Sequence, residues 1–189
     1  MSNLPSGYNA LVRENATAAP TLETPRLLLR PHSLDDFAAS FAMWSDPEVV
    51  RYIGGRPFTR EEAWARLLRY VGHWQLLGYG MWAVVARDSG DWVGEVGLFD
   101  GKRDLDPPLD APEIGWVLAP QSHGKGYATE AVRAVIAWGD QRFGVESRSL
   151  CLIHPENRAS LRVAEKCGYR ELRRVTYKND PAIILGRLA

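Results

Sequence analysis

A glycine-rich turn between a strand-like run and a helical run contains residue types suited to binding an anion. Residues 112–118 alternate in the manner of a half-buried strand, which a proline ends. Gly124 and Gly126 then permit tight backbone geometry, and apolar residues recur at helical spacing from Tyr127. A helix that begins at such a turn has backbone N–H groups without intrahelical partners, and its dipole favours negative charge there. The segment therefore predicts an anion site, most naturally one for phosphate.

Two common phosphate motifs do not fit this turn. A P-loop requires G-x-x-x-x-G-K-[ST], whereas Lys125 lies between the two glycines. A dinucleotide fingerprint requires a third glycine at the position of Thr129. The run instead resembles the acetyl-CoA pyrophosphate loop of the GNAT N-acetyltransferases, whose pattern is [QR]-x-x-G-x-[GA].

The family pattern can be aligned with this turn in two ways, which we call frames. The frame from Gln121 to Gly126 fits the pattern literally but starts two residues early. The frame from His123 to Ala128 places the key glycine directly before the helix and is preferred, although histidine replaces the usual Gln or Arg. Residues 124–131 resemble the RimJ/RimL branch in particular, which acetylates protein N-termini and other amines.

A second segment, residues 157–169, resembles another GNAT pattern, N-x-x-[AS]-x-x-[VL]-x-x-[KR]-x-G-[FY]. The matching positions are Asn157, Ser160, Val163, Lys166, Gly168 and Tyr169. Two motifs in order are more specific than either alone, and the resemblance covers about residues 22–188.

The resemblance implies that acetyl-CoA is the cosubstrate and that no metal is needed. Its pantetheine would lie between two splayed parallel strands, near 114–118 and 149–154, and its pyrophosphate would lie on the glycine turn. The amine would attack the thioester directly, so no nucleophilic Cys or Ser is required. The residues expected to contact the cosubstrate are Trp116, Val117, Leu118, His123, Gly124, Lys125, Gly126, Tyr127, Ala128, Asn157 and Ser160.

The resemblance also suggests the catalytic groups. Glu113, at the head of the central strand, is the candidate general base, with a surface carboxylate as the alternative. Ser160 is the candidate proton donor, or else an ordinary first-turn serine. Many GNAT enzymes carry a tyrosine acid seven residues after the asparagine, but Ala164 occupies that position here, and Tyr169 and Tyr177 are the possible substitutes.

The histidines suggest further roles. His154 ends a strand beside the expected cleft and could relay a proton, or it could be structural. His123 would lie against the phosphates. His32 and His73 are expected at the surface.

The amine acceptor carries no readable motif. Its pocket would be built from the first helices and the strand-end loops, with Trp44 and Trp82 as possible lining residues. An acidic loop at 104–110 hints at a cationic acceptor.

The elements that position these residues predict an α+β fold in a single domain. Their order, β-α-α-β-β-β-α-β-α-β-β, indicates one mixed, mostly antiparallel sheet of about seven strands flanked by helices. Residues 1–20 are interpreted as a flexible tail and residues 21–189 as the N-acetyltransferase domain.

Composition limits the function classes. The chain has 189 residues, with 23 basic and 23 acidic side chains, so its net charge of zero argues against a nucleic-acid binder. No apolar run is long enough to span a membrane, and no signal peptide is evident. Cys151 and Cys167 have no metal spacing and are expected to be reduced core thiols, which favours the cytoplasm.

We therefore expect an enzyme that moves acetyl from acetyl-CoA to a primary amine, either a protein N-terminus or a small molecule. The alternative is an acyl-CoA-binding sensor on the same fold without turnover. The sequence leaves open whether the protein is a monomer or a homodimer.

Overall fold

The computed structural model describes residues 19–144 and 148–187. Most of the expected tail, residues 1–18, lies outside the described residues. Its last two residues belong to the folded unit, because Ala19 is buried in the core and the Pro20 carbonyl accepts a 2.7 Å hydrogen bond from Trp82 Nε1. The expected boundary after residue 20 was therefore placed too late.

The described chain forms eight strands and five α-helices. The strands are β1 Leu22–Glu23, β2 Leu27–Arg30, β3 Met81–Ala86, β4 Trp92–Phe99, β5 Glu113–Leu118, β6 Ser149–Ile153, β7 Arg170–Tyr177 and β8 Asp180–Arg187. The helices are α1 Phe37–Trp44, α2 Pro47–Val50, α3 Arg60–Leu77, α4 Tyr127–Phe143 and α5 Arg158–Lys166, with short 3₁₀ turns at Leu34–Asp36 and Pro120–Ser122. The α+β prediction is confirmed, and the eighth strand is the two-residue β1.

All strands belong to one sheet with the order β1-β2-β3-β4-β5-β6-β8-β7. Neighbours in the described chain pair antiparallel except β5 and β6, which are parallel. Strand β5 pairs with β4 along its whole length, yet it shares with β6 the single register Glu113↔Leu150. The sheet is therefore open between its two central parallel strands.

Helix α3 has a capping motif at each end. Thr59 Oγ1 accepts from the Glu62 amide at 3.2 Å, and Glu62 Oε2 accepts from the Thr59 amide at 2.9 Å, which completes the predicted capping box. Gly78 ends the helix in the left-handed conformation with φ 70°, a region that glycine adopts without strain.

The two faces of the sheet have different covers. Apolar side chains of β4 and β5 that include Val96 and Ile114 join Val132 and Val135 of α4 in the main core. On the opposite face, Val117 packs with the smaller cluster around Trp44 in α1. Glu113 shares that second face, because side chains alternate along a strand. None of the helices in the described parts of the chain is long and apolar enough to cross a membrane.

Candidate active site

The opening between β5 and β6 is the main cleft-forming feature of the sheet. The Leu150 amide donates to the Pro112 carbonyl at 2.9 Å, and the strands diverge beyond that point. As a result, Gly115, Trp116 and Val117 are only half-buried, although they lie in the middle of an eight-stranded sheet. The expected splay is present, and it exposes the backbone edge of β5.

The glycine turn follows directly at the end of this opening. Gly126 is the N-cap of α4 with φ 80°, and Gly124 has φ 74°, so both positions favour glycine. The first bond of the helix runs from the Glu130 amide to the Gly126 carbonyl at 3.2 Å. Within the described residues, the amides of 124–129 donate to no acceptor. The helix thus begins directly after the glycine of the His123 frame, and its free amides fit an oxyanion.

An ion pair across two elements fixes this turn. Glu130 Oε1 accepts from Thr24 Oγ1 at 2.7 Å and from the Arg26 amide at 2.9 Å. The Arg26 guanidinium pairs with the same carboxylate and donates to the Lys125 carbonyl at 2.9 Å. It also lies 4.8 Å from the centre of the Tyr127 ring. The start of β2 therefore holds the turn in place, and Lys125 presents an exposed side chain.

The imidazole of His123, an exposed residue, contacts the backbone at the end of β5. Its Nε2 lies 2.9 Å from the Leu118 carbonyl oxygen, so this nitrogen carries the proton and donates. The imidazole therefore ties the end of β5 to the turn. The backbone amide of His123 donates to the Pro120 carbonyl at 3.1 Å, so the free amides of the turn begin at Gly124.

Helix α5 borders the other side of the opening. Asn157 Oδ1 accepts from the Ser160 amide at 3.1 Å, which confirms the predicted N-cap. Ser160 is half-buried in the first turn. Ala164, at the position of the family's tyrosine acid, is fully buried. Tyr169 cannot replace that tyrosine, because its hydroxyl is 2.6 Å from Ser149 Oγ in the core and burial raises its pKa.

Glu113 is buried, with only 2% of its surface exposed. Its Oε2 accepts from Arg103 Nε at 2.6 Å, whereas its Oε1 is buried and has no donor among the described residues. Burial raises the pKa of Glu113, and the charge of Arg103 opposes that increase. The alternative interpretation as a surface carboxylate is wrong. Arg103 itself lies 4.8 Å from the centre of the Tyr177 ring, so Tyr177 supports this pair.

Tyr52 and His154 lie on the same side of the sheet as Glu113. The Glu113↔Leu150 register and strand alternation place His154 level with Val117 on that face. The ring of Tyr52, which follows α2, stacks on His154 with centroids 5.1 Å apart. His154 Nδ1 accepts from the Glu156 amide at 3.1 Å. Sequence reasoning missed Tyr52, because it lies in a short connection without a motif.

A second carboxylate, Glu95 of β4, lies fully buried beneath this face. It accepts from Ser40 Oγ at 2.6 Å, from Trp44 Nε1 at 2.9 Å and from the Tyr70 hydroxyl at 2.9 Å. The carboxylate thus joins α1 and α3 to the sheet. In the sequence, Glu95 is the one acidic residue of the apolar run Trp92–Phe99. No role for it was predicted from the sequence.

Four expectations about aromatic residues need correction. Trp44 and Trp82 are buried at 1% and 0% exposure, so neither lines an open pocket. His32 is not at the surface: it stacks on Tyr70 at 5.0 Å, both ring nitrogens are buried without a partner among the described residues, and burial lowers its pKa. His73 accepts from the Asp100 amide at 2.9 Å through Nε2, so Nδ1 is protonated and donates to the Tyr79 carbonyl at 2.7 Å. Burial lowers the pKa of His73 as well.

The cysteines are core residues as predicted. Cys151 and Cys167 are free and buried, and burial raises the pKa of both thiols. A search of the described residues finds no group of His, Cys, Asp and Glu that could hold a metal ion.

Comparison with known proteins identifies the class to which this fold and site belong. The profile described as "Acetyltransferase (GNAT) domain" matches residues 26–170. The N-acetyltransferase YnaD of Bacillus subtilis (strain 168) is 31% identical over 151 residues, which is 79% of this chain and 82% of YnaD. A GnaT-family acetyltransferase from Bordetella pertussis superposes with a TM-score of 0.77 at 33% identity and covers 89% of this chain and 99% of its own.

An acetyltransferase from Agrobacterium tumefaciens str. C58 gives a TM-score of 0.79 at 26% identity, over 94% of this chain and 99% of its own. The chain belongs to the GNAT acetyltransferase family. It is an acetyl-CoA-dependent N-acetyltransferase.

Proposed function

We propose that the protein transfers the acetyl group of acetyl-CoA to a primary amine, with Glu113 as the general base. One observation carries this proposal. A buried carboxylate keeps one oxygen without a donor among the described residues, at the point where β5 and β6 separate. A buried oxygen without a partner is costly, so its retention favours a functional partner such as the incoming ammonium or a water.

The free amides around Gly126 support the binding of the CoA diphosphate. In this arrangement the free backbone amides of 124–128 donate to the phosphates, with Lys125 as a nearby charge. Pantetheine would bond the exposed edge of β5 at Trp116, Val117 and Leu118, in the manner of an added strand. Asn157 and Ser160, at the start of α5, would border the thioester end.

The chemistry then follows from the placement of these groups. The Oε1 atom of Glu113 accepts a proton from the substrate ammonium, directly or through a water. The amine nitrogen forms a bond to the thioester carbon, and the carbon–sulfur bond breaks as the tetrahedral intermediate collapses. The thiolate of CoA then takes up a proton, which gives the amide and free CoA. Ser160 is our candidate for this last proton transfer.

The acceptor is a protein N-terminus or a small amine, as in the RimJ/RimL branch. Proteins of the same fold include a spermidine N-acetyltransferase from Vibrio cholerae, at 16% identity, and a ribosomal-protein-S5-alanine acetyltransferase from Vibrio fischeri, at 20% identity. Identities this low are evidence for the fold alone, so the choice between these acceptor classes depends on the pocket of this chain.

The test is to measure free thiol released from acetyl-CoA across a panel of amines, for the wild type and Glu113→Gln. General-base catalysis contributes about 10²- to 10⁴-fold, so we expect kcat to fall by roughly that factor. The calorimetric Kd for CoA should be unchanged, since Glu113 is not among the groups proposed to bind CoA. The control is Glu171→Gln, which removes an exposed acid that is paired with Arg174 on the edge strand.

Two results would count against the proposal. Unchanged kcat in Glu113→Gln would place the base elsewhere. Tight CoA binding without thiol release from any amine would favour a sensor, an alternative suggested by Ala164 at the position of the family's tyrosine acid.

A further inference from the structure

Helix α3 carries two arginines toward the face of the sheet on which Glu113 lies. Arg66, Arg69 and His73 are spaced so that they share one side of the helix. His73, at the end of this row, is bonded to the Asp100 amide, and Asp100 begins the connection between β4 and β5. The row of side chains therefore runs beside that connection.

The same connection supplies Arg103 to Glu113, so it contacts both the row of side chains and the proposed base. Burial lowers the pKa of Arg69, the positive charges of Arg66 and Arg103 lower it further, and Tyr70 and Glu95 oppose this decrease. Arg69 nevertheless keeps part of its surface open to solvent. Arg69 therefore lies within the electrostatic reach of two other guanidinium groups.

Arg66 is held in place by neutral groups. Its guanidinium carbon lies 3.8 Å from the centre of the Trp44 ring and 4.8 Å from that of Phe58. Its Nη1 donates to the Tyr70 hydroxyl at 3.1 Å. Its Nε is buried and finds no acceptor among the described residues. The guanidinium is therefore fixed by aromatic rings and still has a donor to satisfy.

The nearby acids form no direct ion pair with Arg66 or Arg69 in the described parts of the chain, although Glu95 is linked to Arg66 through the Tyr70 hydroxyl. Glu95 is occupied by its three neutral donors. Asp100 pairs with Lys102 at 2.6 Å, and Asp110 pairs with Arg148 at 2.6 Å. The acidic loop that suggested a cationic acceptor thus has one of its acids paired with a basic side chain already. In the described parts of the chain, no carboxylate pairs with Arg66 or Arg69, whereas Arg103 has Glu113.

We propose that Arg66 and Arg69 bind an anionic group of the acceptor, so that the acceptor is a primary amine that also carries a carboxylate. Planar guanidinium groups bind carboxylates in bidentate geometry, which suits a fixed arginine with a free donor. The anionic end would lie against α3 while the amine reaches Glu113 Oε1. This inference rests on the proposed acetyl transfer and names the substrate class for it.

The experiment compares matched acceptors that differ only in the anion. Amino acids are assayed against their carboxamides, and phosphoethanolamine against ethanolamine, by thiol release from acetyl-CoA. The wild type should favour the amino acid, and Arg69→Gln should raise its KM by about 10- to 100-fold, since a charge-assisted hydrogen bond is lost. The same variant should leave the KM of the carboxamide within about twofold. Because each pair is compared across variants, the different amine pKa values cancel.

Arg69 is exposed, so its substitution should not disturb folding, and an unchanged melting midpoint verifies this. Arg66→Lys tests the second arginine and should raise KM for the same acceptors. Arg174→Gln, on the edge strand, is the matched control and should change neither KM. A preference for phosphoethanolamine over the amino acids would overturn the carboxylate assignment.

Two further outcomes distinguish a failure of this inference from a failure of the proposed acetyl transfer. If the wild type releases thiol but prefers carboxamides or diamines, or if Arg69→Gln leaves the acid-to-amide ratio unchanged, the inference is wrong and acetyl transfer stands. If no amine supports thiol release, acetyl transfer fails and the inference fails with it.

Discussion

Replacing Arg103 with glutamine should move the pH dependence of catalysis without abolishing it. Arg103 Nε lies 2.6 Å from Glu113 Oε2 and supplies the main charge that opposes the effect of burial on this carboxyl group, whereas Asp100 acts with burial to raise the pKa. An adjacent opposite charge lowers a carboxyl pKa by about 1–3 units. The Arg103 side chain is only 22% exposed, so solvent screens just part of this effect, and its loss should raise the pKa of Glu113.

The direction in which the pH profile moves follows from the role of Glu113 as a base. A general base acts when it is deprotonated, so a higher pKa moves the acidic limb of kcat/KM to higher pH. At a pH well below the new limb, kcat/KM should fall by about tenfold for each pH unit by which the limb moves. Above the limb, the activity should recover to near that of the wild type. Full pH profiles of thiol release for the wild type, Arg103→Gln and Arg103→Lys would measure this.

Arg103→Lys keeps the positive charge and should retain most of the wild-type position of the limb. Tyr177→Leu removes the ring under Arg103 but no charge, and it should shift the limb little. An equal loss of activity at every pH in Arg103→Gln would mean that Arg103 only maintains structure. An unshifted limb would mean that a group other than Glu113 is the base.

The remaining predictions concern stability. Gly97→Ala should prevent normal folding, because a Cβ there would lie 2.2 Å from the Gly80 carbonyl oxygen. Gly72 lies in α3, and a Cβ there would meet no atom within 4 Å, so Gly72→Ala should raise the free energy of unfolding by about 0.5–1 kcal/mol in urea titrations. A soluble, cooperatively unfolding Gly97→Ala protein would contradict that geometry. Glu95→Ala should reduce the free energy of unfolding by about 3 kcal/mol or more, since it leaves three buried donors without an acceptor. Glu171→Ala, at the exposed edge, is its control, and a loss below about 1 kcal/mol for Glu95→Ala would refute the proposed role of the network.

The elements that carry local signals could be predicted from the sequence. The Thr59 capping box and Gly78 defined α3, and Asn157 defined the start of α5, because caps depend on residues three or four positions apart. The two glycines of the turn defined the start of α4 for the same reason. These features needed no information about distant parts of the chain.

The partners of the site depended on contacts between distant residues, so they could not be predicted. Glu113 was proposed from its position, but its pairing with Arg103 comes from the fold of a connection without periodicity. Glu95 meets Ser40 from 55 positions away, and nothing in either neighbourhood indicates the contact. His32 was expected at the surface, whereas the ring of Tyr70 in α3 stacks on it.

The opening between β5 and β6 also has a consequence for the lifetime of the folded state. Within the sheet, strands β1 to β5 are connected to strands β6 to β8 by the single residue pair Glu113↔Leu150. Backbone amides of β6 to β8 should therefore exchange with solvent deuterium sooner than those of β3 and β4. A molecule that occupies the opening binds the native state alone. At 100 times its Kd it would add about 2.7 kcal/mol to the free energy of unfolding. Depletion of the acyl donor would then shorten the survival of the enzyme as well as slow its turnover.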